Sequence, residues 1–170
     1  MQTSEPDLLS HEGITLVFGL EWFPLLGDHF QAQARSLAAR RRARRSVITA
    51  SGAASVGLLG ARLPRAAKQR YCSAAAAFAA LHPVGTVAAV VPFPGERHWL
   101  VAVHEGAVMT RTDQVFTSVS QAHETLRVLR EAHPGLHVHD ENQASTSLLE
   151  ALFDVARERG ALQAHKARGT

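Results

Sequence analysis

The chain has 170 residues, enough for one domain with a sizeable core or for two small ones, and 46% hydrophobic with 19% charged residues excludes a disordered polymer. A single cysteine, Cys72, excludes an internal disulfide framework and fits a reducing compartment. No apolar run approaches the roughly 20 residues needed to cross a bilayer, and the opening MQTSEPDLLSHEG lacks the basic and apolar stretches of a signal peptide, so the expected compartment is the cytoplasm.

Alanine dominates the apolar count, which predicts a core of small residues with few aromatic anchors. The net charge of +3 hides an asymmetry. Only Lys68 and Lys166 are lysines, and Arg40, Arg41, Arg42, Arg44 and Arg45 form one dense block.

In chain order, residues 1–12 read as a flexible lead-in. Ile14 to Phe23 is β-branched and aromatic, which predicts a strand buried on both faces, ended by Pro24 and Gly27. Asp28 with Gln31 resembles a helix N-cap, and Phe30, Ala34, Leu37 and Ala38 make one face of an amphipathic helix that runs into the arginine block. Ser46–Ala50 and Ser55–Leu59 follow as short strands. Leu63-Pro64 opens a predicted second helix whose apolar positions are Ala67, Tyr71, Ala74, Ala75, Phe78 and Leu81, stopped by His82-Pro83.

The stretch Thr86 to Met109 is the framework of the chain and reads as an antiparallel meander. Thr86–Val91 is an apolar strand, Pro92, Pro94 and Gly95 break it, and Trp99, Val101 and Val103 line one face of the next strand. Glu105-Gly106 turns the chain into Ala107-Val108-Met109. Ser118 with Gln121 then caps a third helix with Val119, Ala122, Leu126 and Leu129 on its inner face. Leu136–His139 alternates like a short strand. Ser147 with Glu150 starts a last helix carrying Leu149, Leu152, Phe153 and Ala156 inward, with Gly160 as its stop. The expected fold is therefore α/β: a mixed sheet with a central antiparallel meander, flanked by about four helices. Residues 13–160 form one domain, open to division into two small subdomains, and 161–170 form a polar tail.

Signals for chemistry are sparse. Gly52, Gly57 and Gly60 do not match a dinucleotide fingerprint, and no phosphate-cradling G-x-x-x-x-G-K-[ST] or nucleophile elbow occurs. Cys72 reads as a small core residue. His137 and His139 share one strand face, but two imidazoles do not close a metal site. No catalytic, cofactor-binding or metal-binding residue is assigned, and no enzymatic activity is expected. The arginine block suits phosphates of nucleic acid, acidic headgroups or an acidic protein, or is simply a solvated helix end. Without interleaved aromatics, nucleic acid is the weaker reading.

The segment Phe18-Gly19-Leu20-Glu21-Trp22-Phe23-Pro24-Leu25, the Ala-Arg-rich helix Ala32 to Arg40, the run Tyr71–Ala76 and the hairpin Arg97–Val108 together resemble PilO-type pilin accessory proteins of type IVb pilus systems, over about residues 14 to 130. Gly19, Trp22, Tyr71, Trp99 and Gly106 fall in these stretches as structural residues. The resemblance implies the N-terminal cytoplasmic domain of an inner-membrane pilus assembly component, with a truncated actin-like or ribonuclease-H-like fold. It implies a non-enzymatic scaffold that docks the assembly ATPase and neighbouring platform proteins. Such proteins continue into a transmembrane helix and a periplasmic region. The chain reaches Thr170 in polar residues, which suits a fragment or a shortened member. An actin-like nucleotide-binding module and a basic nucleic-acid-binding regulator are the alternatives, and homodimerisation stays open. The arginines Arg40, Arg41, Arg42, Arg44 and Arg45 are the partner-contact candidates.

Overall fold

A computed structural model describes residues 5–65, 69–139, 147–159 and 162–165. The expected Ile14–Phe23 strand is two strands in two different sheets, and this corner organises the molecule. Strand β1 (Asp7–His11) pairs antiparallel with β2 (Ile14–Phe18), and β3 (Glu21–Leu25) departs after Gly19, whose φ of +89° suits the residue without a Cβ. Residues 7–11 are thus part of a sheet and not a flexible lead. Their link to β2 is a two-residue Glu12-Gly13 loop with both φ angles positive, the arrangement that matches strand twist in tight hairpins.

Helix α1 (Phe30–Arg41) buries Ala34 and Ala38 as expected, with Phe30 and Leu37 partly covered. Its N-cap is His29 with no side-chain capping bond, not the expected Asp28. Strands β4 (Arg45–Ala50) and β5 (Ala54–Leu59) pair antiparallel, and β3 pairs with β5 on the other side. Pro24 therefore lies inside an edge strand, the place in a sheet where a missing N–H is tolerated.

The second helix is shorter than its apolar spacing predicts. Tyr71 and Cys72 belong to strand β6 (Arg70–Ser73), which lies parallel to β2 with Tyr71 opposite Thr15 and Cys72 opposite Leu16. Ser73 then caps α2 (Ala74–Leu81), its hydroxyl accepting from the Ala76 amide at 3.0 Å. Tertiary pairing with β2 overrides the helical spacing of Tyr71; Ala67 lies outside the described residues.

The meander forms as expected. Strands β7 (Thr86–Phe93) and β8 (Arg97–His104) pair along their whole length, and β9 (Ala107–Val108) returns after Glu105-Gly106. A short β10 (Gln114–Phe116), which the sequence pattern does not reveal, adds to β8. Helix α3 (Val119–Ala132) is capped by Ser118 and buries Ala122 and Leu126, whereas Val119 is exposed. Strand β11 (His137–Val138) pairs parallel with β7. Helix α4 (Leu148–Glu158) is capped by Ser147 and buries Leu148, Leu152, Phe153 and Ala156, with Leu149 only partly covered; its predicted stop, Gly160, lies outside the described residues. Within the expected polar tail, β12 (Gln163–Ala164) pairs with β4.

The described residues thus form a mixed α/β fold with four helices, but three sheets replace the single expected one: β1-β2-β6, β10-β8-β7-β11 with β9 beside β8, and β12-β4-β5-β3. Helix α2 lies among them, touching β2, β4, β6, β8, β9 and α4. Its AAAAFAAL sequence follows from that position, because small side chains allow strands to approach from several sides. The main core joins Phe18, Phe78 and Trp99 in edge-to-face contacts, with Phe18 and Trp99 centroids 4.9 Å apart. On β8, Trp99, Val101 and Val103 face this core, while Leu100 and Ala102 face α3. A separate cluster lies under α1, built on Leu25, Ala54, Val56 and Leu58.

Candidate interaction surface

Helix α1 ends at Arg41, and Arg42 caps it in the left-handed region (φ 55°), its amide bonding back to the helix. Ala43 is buried, Arg44 donates its amide to Leu59 O at 2.8 Å, and Arg45 opens β4. The arginine block is therefore a helix end, a turn and a strand start, and its members have different surroundings. Arg41 pairs with Glu21 at 3.5 Å and stacks over the Phe23 ring at 4.8 Å. Arg45 is half-buried, 5.3 Å over the Tyr71 ring. Arg40, Arg42 and Arg44 are exposed, and among the described residues no carboxylate pairs with them. Three of the five candidates are thus free for a partner, while two serve the fold.

The outer strands differ in how open they are. Among the described residues, β11 and β12 span two residues each and β10 three, and β3 carries Pro24. Strand β6 is approached by the Leu162 amide, which donates to Tyr71 O at 2.8 Å. Strand β1 has five residues, no proline, and no strand on its outer side among the described residues. It is the edge best suited to adding a strand.

The five structural candidates sit as follows. Trp22 and Trp99 are 2% and 0% exposed, and both indoles donate to Asp113, at 3.0 Å and 2.8 Å. Gly19 forms the corner between sheets, and the Tyr71 hydroxyl donates to Pro64 O. Gly106 has φ 81° and packs against Ser51, where a Cβ would come within 2.4 Å of the serine Cβ.

Asp113 itself carries no sequence signal, and it is the most constrained polar group in the molecule. One carboxylate oxygen accepts from Gly19 N at 3.0 Å and Trp99 Nε1, and the other from Leu20 N at 3.0 Å and Trp22 Nε1. Burial pushes its pKa up, while the four N–H donors pull it down by stabilising the charged form. With both oxygens saturated, it faces no ligand. It borders an open cleft of about 910 Å³ that also touches Arg41 and Thr112.

A second cleft, about 580 Å³, lies between β4 and α2. Three of its hydroxyls are engaged internally: Ser46 with His165 at 2.5 Å, Thr49 with Ser55 at 2.6 Å, and Ser73 with the α2 amide. Cys72 at its floor is buried, which pushes the thiol pKa up and leaves little thiolate. His137 is exposed on β11, and His139 lies near His82, the ring centroids 6.4 Å apart. Burial, followed by the charges of His139 and His137, lowers the His82 pKa. Among the described residues, no group of three or more His, Cys, Asp or Glu is placed to hold a metal, and no helix is long and apolar enough to cross a membrane.

No protein-family model matches the sequence, and no curated protein matches it. Among solved structures, the crystal structure of the cytoplasmic domain of BfpC is similar, with a TM-score of 0.56 and 10% identity, covering 94% of this chain and 93% of that one. At that identity the likeness establishes a shared fold over nearly the whole described chain.

Proposed function

We propose that this chain is a non-enzymatic interaction domain of a type IV pilus assembly platform, working on the cytoplasmic face and docking the assembly ATPase and neighbouring platform proteins. The supporting observation is the fold it shares, end to end, with the cytoplasmic domain of BfpC, a component of a bundle-forming type IV pilus. The resemblance of the Phe18–Leu25 and Arg97–Val108 stretches to PilO-type accessory proteins supports the same class of system. In this reading the outer edge of β1 is the contact region, through main-chain pairing.

Capture of the assembly ATPase of the same pilus system, by the full chain immobilised at micromolar concentration in low salt, is the test. Retention that weakens when Leu9, on the edge strand β1, is replaced by proline supports the reading. Absence of retention sinks it. An actin-like module that binds nucleotide is the rival, and titration calorimetry with ATP and Mg²⁺ separates the two: a scaffold gives no binding heat.

A further inference from the structure

We infer that the arginine-rich end of the β12-β4-β5-β3 sheet is a docking face for an anionic phospholipid surface. The fold brings more cations to this end than the Arg40–Arg45 block alone. Arg44 bonds to Leu59, after which the chain runs through exposed Arg62 and Arg65, and the Tyr71 hydroxyl, beneath Arg45, holds Pro64 between them. Arg40, Arg42, Arg44, Arg62 and Arg65 are all exposed, and no described carboxylate pairs with any of them.

Shape selects between partners. None of these five arginines lines the cleft beside Asp113 or the cleft between β4 and α2, and among the described residues the large apolar side chains that are most exposed, Leu26, Val84, Val119 and Val128, belong to other segments. A specific protein interface is typically centred on an apolar anchor, and among the described residues this face presents no exposed large apolar side chain. A bilayer surface requires no groove, attracts cations collectively and presents phosphates that guanidinium engages in bidentate fashion. This inference stands apart from the ATPase-docking reading, because it rests on charge and shape alone.

The test is sedimentation of the full chain with vesicles of phosphatidylcholine and phosphatidylglycerol at two to one, against pure phosphatidylcholine. Binding to the anionic vesicles alone, falling as salt rises, is expected. Replacing Arg40, Arg42 and Arg44 by glutamine lowers the partition about a hundredfold, close to fivefold per cation removed. Replacement of the same three by lysine keeps most of it. Circular dichroism checks each variant, and Arg62→Gln with Arg65→Gln, in a loop outside any regular element, lowers binding even where the helix variant fails to fold. No sedimentation with anionic vesicles at low salt overturns the inference. So does undiminished binding of the glutamine variants, or displacement from vesicles by polyglutamate at equal charge, which would assign the face to an acidic protein segment.

Discussion

Asp113 shows how one residue can hold three sheets in register. It follows the meander, its oxygens take the amides at the β2–β3 corner, and they also take one indole from β3 and one from β8. Its φ of 62° lies in the left-handed region that aspartate and asparagine tolerate, so Asp113→Asn keeps the backbone and changes only the acceptor set. Asparagine offers one acceptor oxygen and turns an NH₂ towards two N–H donors. Leaving buried donors unmatched is expected to destabilise by about 3 kcal/mol, read from urea unfolding. The tryptophan emission of the folded variant should shift as well, because both indoles lose or weaken a partner. A cost below about 1 kcal/mol would mean that the corner is held by packing and not by this carboxylate. Nothing in the Thr-Asp-Gln context announces this role, since the partners lie 14 to 94 residues away in the chain.

At the scale of elements, close approach of β3 and β5 depends on Gly57. A Cβ there would sit 2.6 Å from Trp22 Cζ2, and the ring, 2% exposed and tethered to Asp113, has nowhere to go. Gly57→Ala should lower stability by about 1–3 kcal/mol, the usual cost of overfilling a packed interior, whereas Gly135→Ala, with nothing within 4 Å, should be close to neutral in the same thermal melts. Much of the element pattern is legible in the sequence where the deciding physics is local. Ser118 and Ser147 cap their helices, and Glu105-Gly106 turns the meander, because capping and turn chemistry act over a few residues. The same Glu-Gly signal at residues 12–13 also makes a hairpin, but the short, polar DLLSH before it does not read as a strand. Tyr71 and Cys72 mislead for a different reason: their helical spacing is real, yet β2 offers them a parallel strand partner. The split of Ile14–Phe23 between two sheets places its Gly19-Leu20 corner on Asp113, a partner that no local pattern reveals. Of the candidate surface, the arginines are legible as a block, but their division into Arg41 and Arg45, used by the fold, and Arg40, Arg42 and Arg44, left free, is decided by Glu21, Phe23 and Tyr71.

For the whole molecule, the separation of the interior into clusters implies unequal local stability. The main core holds Phe18, Phe78 and Trp99 and spans all three sheets, so it opens only on global unfolding. Helix α1 lies over a cluster of its own, buries only Ala34 and Ala38 fully, and has neither a side-chain cap nor an acidic residue in its first turn. Burial of two alanines contributes far less than burial of leucine or phenylalanine, so this helix is weakly anchored. Native-state hydrogen exchange should show the amides of Leu37 and Ala38 exchanging at least about tenfold faster than those of Leu100 and Val101, with a weaker dependence on denaturant. Equal protection would mean that the α1 cluster opens only together with the main core. The difference bears on how the surface works, because Arg40 and Arg42 stand at the end of α1 while Arg44 is tied by its backbone to β5. A partner or a charged surface that engages all three arginines would therefore restrain α1 against β5, and protection of Leu37 and Ala38 should rise on binding while that of Leu100 stays unchanged.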